Sequence, residues 1–130
     1  MFYIIIVNKS KNMEWIKFNL EKPKTNIKVL VKTKKGKYAI SEFNGIKWKG
    51  SKSFSDSIEF WCYFPEYDNT WYDKSIFPEL NKEVLIVTSN NTYAISMLYK
   101  AKDCYNNIIG IRWKGSSTFI DSIKFWKYLE

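Results

Sequence analysis

The side chains that could do chemistry in this chain are few, and they form no known catalytic set. No histidine occurs among the 130 residues, which removes the most common general base and the most common metal ligand. The best remaining candidates are Asp56 and Asp121, because each begins an Asp-Ser pair that occurs twice. An aspartate in such a pair more often caps a turn than acts as a base. We therefore expect no catalytic residue, no metal site and no cofactor, and we predict that the protein is not an enzyme.

Lysine is the residue type that most suggests a function. The formal net charge is +8, and 20 of the 21 basic residues are lysines. Seven of them follow one another without an acid between them: Lys22, Lys24, Lys28, Lys32, Lys34, Lys35 and Lys37. Such a surface suits phosphates, RNA or an acidic protein, whereas bidentate recognition of bases by arginine is nearly absent. We predict that Lys32, Lys34, Lys35 and Lys37 contact a partner, and the alternative is a solvated lysine-rich hairpin.

Two cation-Trp-cation triplets form a second candidate surface. Lys47 and Lys49 flank Trp48, and Arg112 and Lys114 flank Trp113. In a strand, the two cations of a triplet lie on one face and the tryptophan on the other. The pattern predicts a buried tryptophan beneath an exposed cation pair, and it adds the four cations to the predicted partner contacts.

The triplets belong to a tandem repeat that covers most of the chain. Residues 15–66 are matched by residues 71–130, and YAIS recurs letter for letter at residues 38–41 and 93–96. A repeated unit sets the architecture before any secondary structure is assigned. We assign residues 1–14 to an added N-terminal strand and residues 67–70 to a linker. The first repeat has 11 lysines against 5 acids, a net charge of +6, whereas the second has 8 cations against 6 acids, a net charge of +2.

Short β-branched and aromatic runs between turn residues predict strands. The predicted spans are 15–20, 28–33, 37–43, 46–49 and 58–64, then 71–77, 83–88, 92–99, 109–114 and 123–129. The fold class is thus mainly β: two tandem repeats of a small antiparallel unit, packed with pseudo-twofold symmetry in a sandwich-like arrangement, with little helix. Brief helical turns could begin at Asp56 and Asp121 as N-caps. Because units of this size are marginal alone, we expect the repeats to share one core.

The second repeat carries a ten-residue insertion between Met97 and Ile109. An insertion of this kind is tolerated in a surface loop and not in a core strand. We predict that this loop contributes to partner binding through Tyr99, Lys100, Lys102 and Tyr105.

The cysteines and the first residues bear on the cellular compartment. Cys62 and Cys104 occupy non-equivalent positions and form no CxxC pair, so neither a disulfide framework nor a metal site is indicated. The run FYIIIV at residues 2–7 lacks the basic leader and the length of a signal peptide. No apolar segment is long enough to span a bilayer. We expect a cytoplasmic protein without a membrane partner.

The two repeats share a longer ordered pattern of tryptophans, a proline, a hydrophobic run and a closing Asp-x-Ile-x-x-Trp. In the first repeat the pattern consists of Trp15, Pro23, Val29 to Val31, Trp48, Asp56, Ile58, Trp61 and Phe64-Pro65-Glu66. In the second it consists of Trp71, Pro78, Val84 to Ile86, Trp113, Asp121, Ile123 and Trp126, without the closing proline. This pattern resembles a small domain of unknown function that is common in phage and prophage genomes, and if a phage encodes the protein we expect it in the host cytoplasm. The histidine usual before the last tryptophan is Phe60 and Phe125 here. The resemblance implies an accessory protein of a phage or mobile element and implies no reaction.

These observations together predict a non-enzymatic binding protein that inhibits a host defence system. The most concrete version is an anti-CRISPR-like protein that binds an effector nuclease or its guide RNA. The alternative is a direct binder of nucleic acid or of a signalling nucleotide, acting as an accessory protein or a sponge. The sequence leaves open which defence system is involved, whether the basic hairpin meets RNA, DNA or acidic protein, and the oligomeric state.

Overall fold

The computed structural model describes residues 13–66 and 68–130, so residues 1–12 of the predicted N-terminal strand lie outside the described ranges. The described residues form two compact units: Met13–Glu66, the first unit, and residues 68–130, the second unit. Among the described residues, strand accounts for 42% and helix for 10%. The prediction of a mainly β protein with antiparallel sheets and little helix is confirmed.

The first unit is a four-stranded antiparallel sheet with one short helix. Its elements are β1 (Ile16–Lys17), β2 (Lys28–Thr33), β3 (Tyr38–Glu42), α1 (Lys52–Ser57) and β4 (Ile58–Cys62). The strand order is β1-β4-β2-β3. The predicted strand 28–33 is observed with the same bounds.

The second unit repeats this order and adds a hairpin. Its elements are β5 (Tyr72–Asp73), β6 (Val84–Thr88), β7 (Tyr93–Ser96), β8 (Leu98–Lys102), β9 (Ile108–Trp113), α2 (Ser117–Ser122) and β10 (Ile123–Tyr128). The four-stranded sheet has the order β5-β10-β6-β7, and β8 and β9 form a separate two-stranded sheet. The relation of the two units by a pseudo-twofold axis, and a core shared between them, stay predictions.

Each unit has a hydrophobic cluster on one face of its sheet. In the first unit Val29 and Val31, which alternate on β2, pack with Trp48 and Trp61. In the second unit Val84 and Ile86 on β6 pack with Trp113 and Trp126 in the same way. Burial of a large apolar side chain stabilises the fold by about 1.5–3 kcal/mol. The prediction that the triplet tryptophans are buried is confirmed, since Trp48 is 1% exposed and Trp113 is 5% exposed.

Equivalent hydrogen bonds fix the same loop in both units. The Trp61 indole nitrogen donates to the Glu21 carbonyl at 2.8 Å, and the Trp126 indole nitrogen donates to the Ile76 carbonyl at 2.6 Å. A buried indole N–H needs such an acceptor. The tryptophan near the end of each repeat therefore packs the core and also holds the chain that precedes the buried proline.

The short helices begin earlier than the sequence predicts. Ser51 and Ser116 are the N-caps, and their side chains accept from the amides of Phe54 and Phe119. Asp56 and Asp121 lie in the last turn of each helix, so the prediction that they are N-caps is wrong. A glycine with positive φ precedes each cap, at +131° for Gly50 and +143° for Gly115, and only glycine adopts this backbone readily.

Two other sequence predictions are also corrected. Residues 46–49 form no strand, because the Asn44 side chain accepts from the amides of Ile46 and Lys47 and closes a tight turn. Only an isolated bridge joins Phe43 to Trp48. The predicted strand 92–99 is two strands, β7 and β8, that separate at Met97.

The inserted residues of the second unit are ordered as strand. Leu98 pairs with Trp113, as Phe43 pairs with Trp48 in the first unit. The insertion therefore lengthens an existing turn into a hairpin, residues 98–113, which we call the long hairpin. No helix among the described residues is long and apolar enough to cross a membrane.

Candidate binding groove and long hairpin

The basic turn between β2 and β3 is held by backbone hydrogen bonds. Thr33 accepts from the Gly36 amide at 2.9 Å and donates its own amide to the Lys37 carbonyl at 2.8 Å. The Lys34 amide donates to the Ser57 carbonyl at 2.8 Å, which ties the turn to the end of α1. Lys34, Lys35 and Lys37 are exposed. The turn thus presents three of the four predicted lysines to solvent on a fixed backbone.

Lys32 differs from the other three lysines of this hairpin. It is half-buried, and its ammonium lies 5.4 Å from the centroid of the Tyr38 ring. A cation over an aromatic face is held by the ring quadrupole. The structure therefore places Lys32 against the sheet and leaves the exposed basic surface to the other three.

A groove of about 470 Å³ on the first unit brings together residues from separate motifs. Lys34 of the basic turn and Lys47 of the first triplet both line it. Lys17 of β1 is a third cation on the groove, and sequence reasoning missed it because no motif marks it. Two carboxylates, Asp56 and Glu59, line the same groove. Lys49 does not line this groove. Its ammonium nitrogen lies 3.7 Å from a Glu42 carboxylate oxygen.

The aromatic side chains that line the groove pack against one another. The ring centroids of Phe18 and Trp48 are 5.3 Å apart, and those of Phe18 and Phe43 are 5.1 Å apart. Trp48 and Phe43 are buried, and the Trp48 indole nitrogen has no hydrogen-bond partner. The apolar side chain that the groove offers to a ligand is instead Ile46, which is 89% exposed.

Charges on the rim are mixed and mostly solvated. The Lys52 ammonium lies 3.4 Å from an Asp56 carboxylate oxygen, and both side chains are largely exposed. An exposed i,i+4 pair of this kind contributes only a few tenths of a kcal/mol. Asp56 therefore keeps its capacity to accept hydrogen bonds from a ligand.

The long hairpin presents cations and apolar side chains together. Lys100 and Lys102 are exposed, Tyr105 is 82% exposed and Tyr99 is half-buried. Tyr99 pairs across the hairpin with Arg112, which is exposed, as is Lys114 just after β9. The sequence prediction overlooked three isoleucines of β9 that are 45–59% exposed: Ile108, Ile109 and Ile111. A β-branched run without polar alternation could have signalled them.

The tip of the long hairpin is closed by Asp103. Its carboxylate accepts from the amides of Tyr105 and Asn107, each at 2.9 Å. These hydrogen bonds, that of Asn107 first, lower the pKa of Asp103 below its ordinary value. Asp103 therefore stays ionised while it closes the turn, and its negative charge lies among the cations of the hairpin.

The structure offers little for catalysis. Among residues 13–66 and 68–130, no group of three or more Cys, Asp or Glu is placed to hold a metal ion. Asp56 and Asp121 are exposed, and each lies in the last turn of a six-residue helix. The adjacent Ser57 and Ser122 hydroxyls donate back to the carbonyls of Phe54 and Phe119. These hydroxyl hydrogen bonds close the end of each helix.

Comparison of the chain with models of known families, with curated proteins and with solved structures gives no match in any of the three.

Proposed function

We propose that this protein is a non-enzymatic binding protein of a phage or mobile element that inhibits a host defence system. The proposed target is an effector nuclease or its guide RNA, as for an anti-CRISPR protein. The proposed contact is the basic surface, which we define as Lys17, Lys34, Lys35, Lys37 and Lys47. The observation that carries the proposal is that Lys34 and Lys47, which belong to different motifs, line one groove.

Charge complementarity favours an anionic partner for the basic surface. Its ammonium groups are exposed, so each contributes little alone and several together attract a polyanion. The equivalent turn of the second repeat has Ser89, Asn90 and Thr92 in place of Lys34, Lys35 and Lys37. The fold therefore does not require lysines there, which supports a binding role for them in the first unit.

The cations of this surface recognise negative charge and do not themselves read a base sequence. Lysine offers a point charge without the fork that arginine presents to a base edge. The triplet tryptophans are buried and cannot serve as stacking platforms. The resemblance of both repeats to a phage domain supports the biological setting, and the absence of a catalytic constellation in the described residues supports inhibition by binding.

The test of this proposal reverses three charges. Lys34→Glu, Lys35→Glu and Lys47→Glu are combined, and binding is measured to purified CRISPR effector nucleases with and without guide RNA, and to guide RNA alone. Lysines that contact single-stranded phosphates each contribute about 0.7 to the slope of log affinity against log salt. We expect the slope for RNA to fall by about 2 and protection of phage to be lost.

The matched control changes the same total charge elsewhere through Lys24→Glu, Lys82→Glu and Lys124→Glu, which are exposed and lie outside the groove. We expect this control to retain most of the binding and the protection. Equal losses in the two variants would show that net charge acts without a site, and unchanged binding in the first variant would overturn the proposal.

The second candidate function is direct binding of a nucleic acid or a signalling nucleotide. The volume of the groove favours it, since about 470 Å³ lies within the range of sites for small molecules. A protein of this kind would bind plain RNA or a nucleotide without any effector. Tight binding to an effector protein together with indifference to free RNA would instead support the inhibitor.

A further inference from the structure

The two units differ in the residue that meets the end of the short helix. In the second unit the Lys74 ammonium donates to the Ile120 carbonyl at 2.6 Å. That oxygen also accepts from the Ile123 amide. A carbonyl oxygen has two lone pairs, so it can hold both donors. In the second unit a side-chain ammonium group therefore occupies the position next to the carbonyl at the end of the helix.

Phe18 takes the place of Lys74 in the first unit. The Phe18 amide donates to the Glu59 carbonyl at 2.9 Å, and the Lys74 amide donates to the equivalent Lys124 carbonyl at 3.2 Å. A phenyl ring cannot donate a hydrogen bond. The Ser55 carbonyl, which is equivalent to that of Ile120, accepts from the Ile58 amide, and no side-chain donor of the described residues reaches it.

The lining of the groove therefore combines hydrogen-bond acceptors with cationic donors. The acceptors belong to Ser55, Asp56 and Glu59, and the cations are Lys17, Lys34 and Lys47. A ligand that matches both kinds of group carries a hydrogen-bond donor and an anionic group. A simple anion would satisfy only the lysines and would be repelled by the two carboxylates.

We propose that this groove binds a single nucleotide whose base carries an amino group. The phosphate lies on Lys34 and Lys47, and the base amino group donates to the Ser55 carbonyl, whose equivalent in the second unit accepts from the Lys74 ammonium. Ile46 contacts the face of the base. This inference rests on the proposed function, because the same lysines serve both. The nucleotide is either free or one residue of an RNA strand.

The test compares ligands that differ in one group. Cytidine monophosphate and uridine monophosphate differ at C4, where an amino group replaces a carbonyl, and cytidine lacks the phosphate. Affinities are measured by calorimetry at low salt, and the oligonucleotides rC8 and rU8 are measured in parallel. We expect the cytosine ligand to bind up to about tenfold more tightly than the uracil ligand, since the uracil ligand lacks the amino group that donates to the Ser55 carbonyl. A preference for cytidine monophosphate over uridine monophosphate points to a free nucleotide as the ligand. A preference that appears only between rC8 and rU8 points to a nucleotide within an RNA strand.

Two variants test the acceptors of the groove. Phe18→Lys places an ammonium group where the second unit has Lys74 and is expected to abolish the preference for cytosine. Asp56→Asn with Glu59→Gln leaves the core untouched, because both residues are exposed, and is expected to reduce the preference several-fold. Lys74→Met in the second unit is the control and is expected to leave the preference for cytosine unchanged. Melting curves establish that each variant is folded.

The outcomes distinguish this inference from the function on which it rests. Equal affinity for cytosine and uracil ligands, with binding still lost on reversing Lys34 and Lys47, overturns the nucleotide subsite and leaves the proposed function standing. Binding of an acidic peptide in the groove, with no binding of either nucleotide, also overturns it. If the unaltered protein binds neither RNA nor an effector, both the nucleotide subsite and the proposed function are overturned.

Discussion

Cys62 is the residue whose ionisation the fold changes most among those with a resolved shift. It lies on β4, is 3% exposed and pairs with Leu30 of β2. Burial raises the pKa of the Cys62 thiol to about 12, because a thiolate in an apolar site loses its hydration. Cys104, at the tip of the long hairpin, is exposed. The two thiols therefore differ in environment although neither forms a disulfide.

We predict that Cys62 makes the fold less stable at high pH. The folded pKa is above the unfolded value, so the stabilising contribution of the protonated thiol is complete below about pH 9 and declines as the pH rises towards 12. At pH 10 the expected loss is about 1.4 kcal/mol of unfolding free energy. Urea unfolding at pH 7 and pH 10 measures this loss of unfolding free energy. The Cys62→Ala variant is the comparison and should not show the loss.

The burial of Cys62 also predicts how the two thiols react. A thiol reagent should label Cys104 at once and Cys62 only after unfolding, and rapid labelling of both would contradict the prediction.

The long hairpin is the element in which the two repeats differ most. Its cations and a register shift between Ala101 and Lys102 discourage its edges from pairing with another chain. Its exposed isoleucines nevertheless leave apolar area uncovered, and such patches mark contact surfaces. The hairpin therefore combines features that prevent aggregation with features that suit a specific protein partner.

We predict that the second unit folds without the long hairpin. Residues 99–112 are replaced by Asn-Gly-Ile-Lys, the turn that joins Phe43 to Trp48 in the first unit. Because Leu98 and Trp113 pair as Phe43 and Trp48 do, the unfolding free energy should fall by less than about 2 kcal/mol. Affinity for the effector should fall while RNA binding by the basic surface is kept. Loss of cooperative unfolding would instead make the hairpin part of the core.

The elements also show what sequence patterns can predict here. Strand β2 was predicted to the residue, since its run of Val and Leu lies between turn residues. The helices were placed late, because Ser51 and Ser116 look like ordinary loop serines until the preceding glycine sets the backbone. The groove was not predictable, because two separate hydrogen bonds to α1 form it. The Lys34 amide donates to the Ser57 carbonyl, and the Trp48 amide, beside Lys47, donates to the Ser55 hydroxyl; no local pattern encodes this pairing.

At the scale of the whole molecule, the open question is whether the units fold independently. Each contains a cluster built on its own sheet, with Trp61 in one and Trp126 in the other. Each is also near the size at which a single core is marginal, since a chain of about 60 residues buries only about 60% of its unfolded surface. The small size of each unit favours units that need each other to fold. Their separate hydrophobic clusters would instead allow each unit to unfold cooperatively on its own.

We predict a single unfolding transition for the whole chain. Leu30 and Leu85 are equivalent residues of β2 and β6, and each is 0% exposed. Leu30→Ala and Leu85→Ala should each lower the unfolding free energy by about 2–5 kcal/mol. If the units depend on each other, either substitution moves one common midpoint in urea, followed both by tryptophan fluorescence and by hydrogen exchange of amides in each sheet. If they are independent, two transitions appear, each substitution moves only the transition of its own unit, and a core shared by the repeats is excluded.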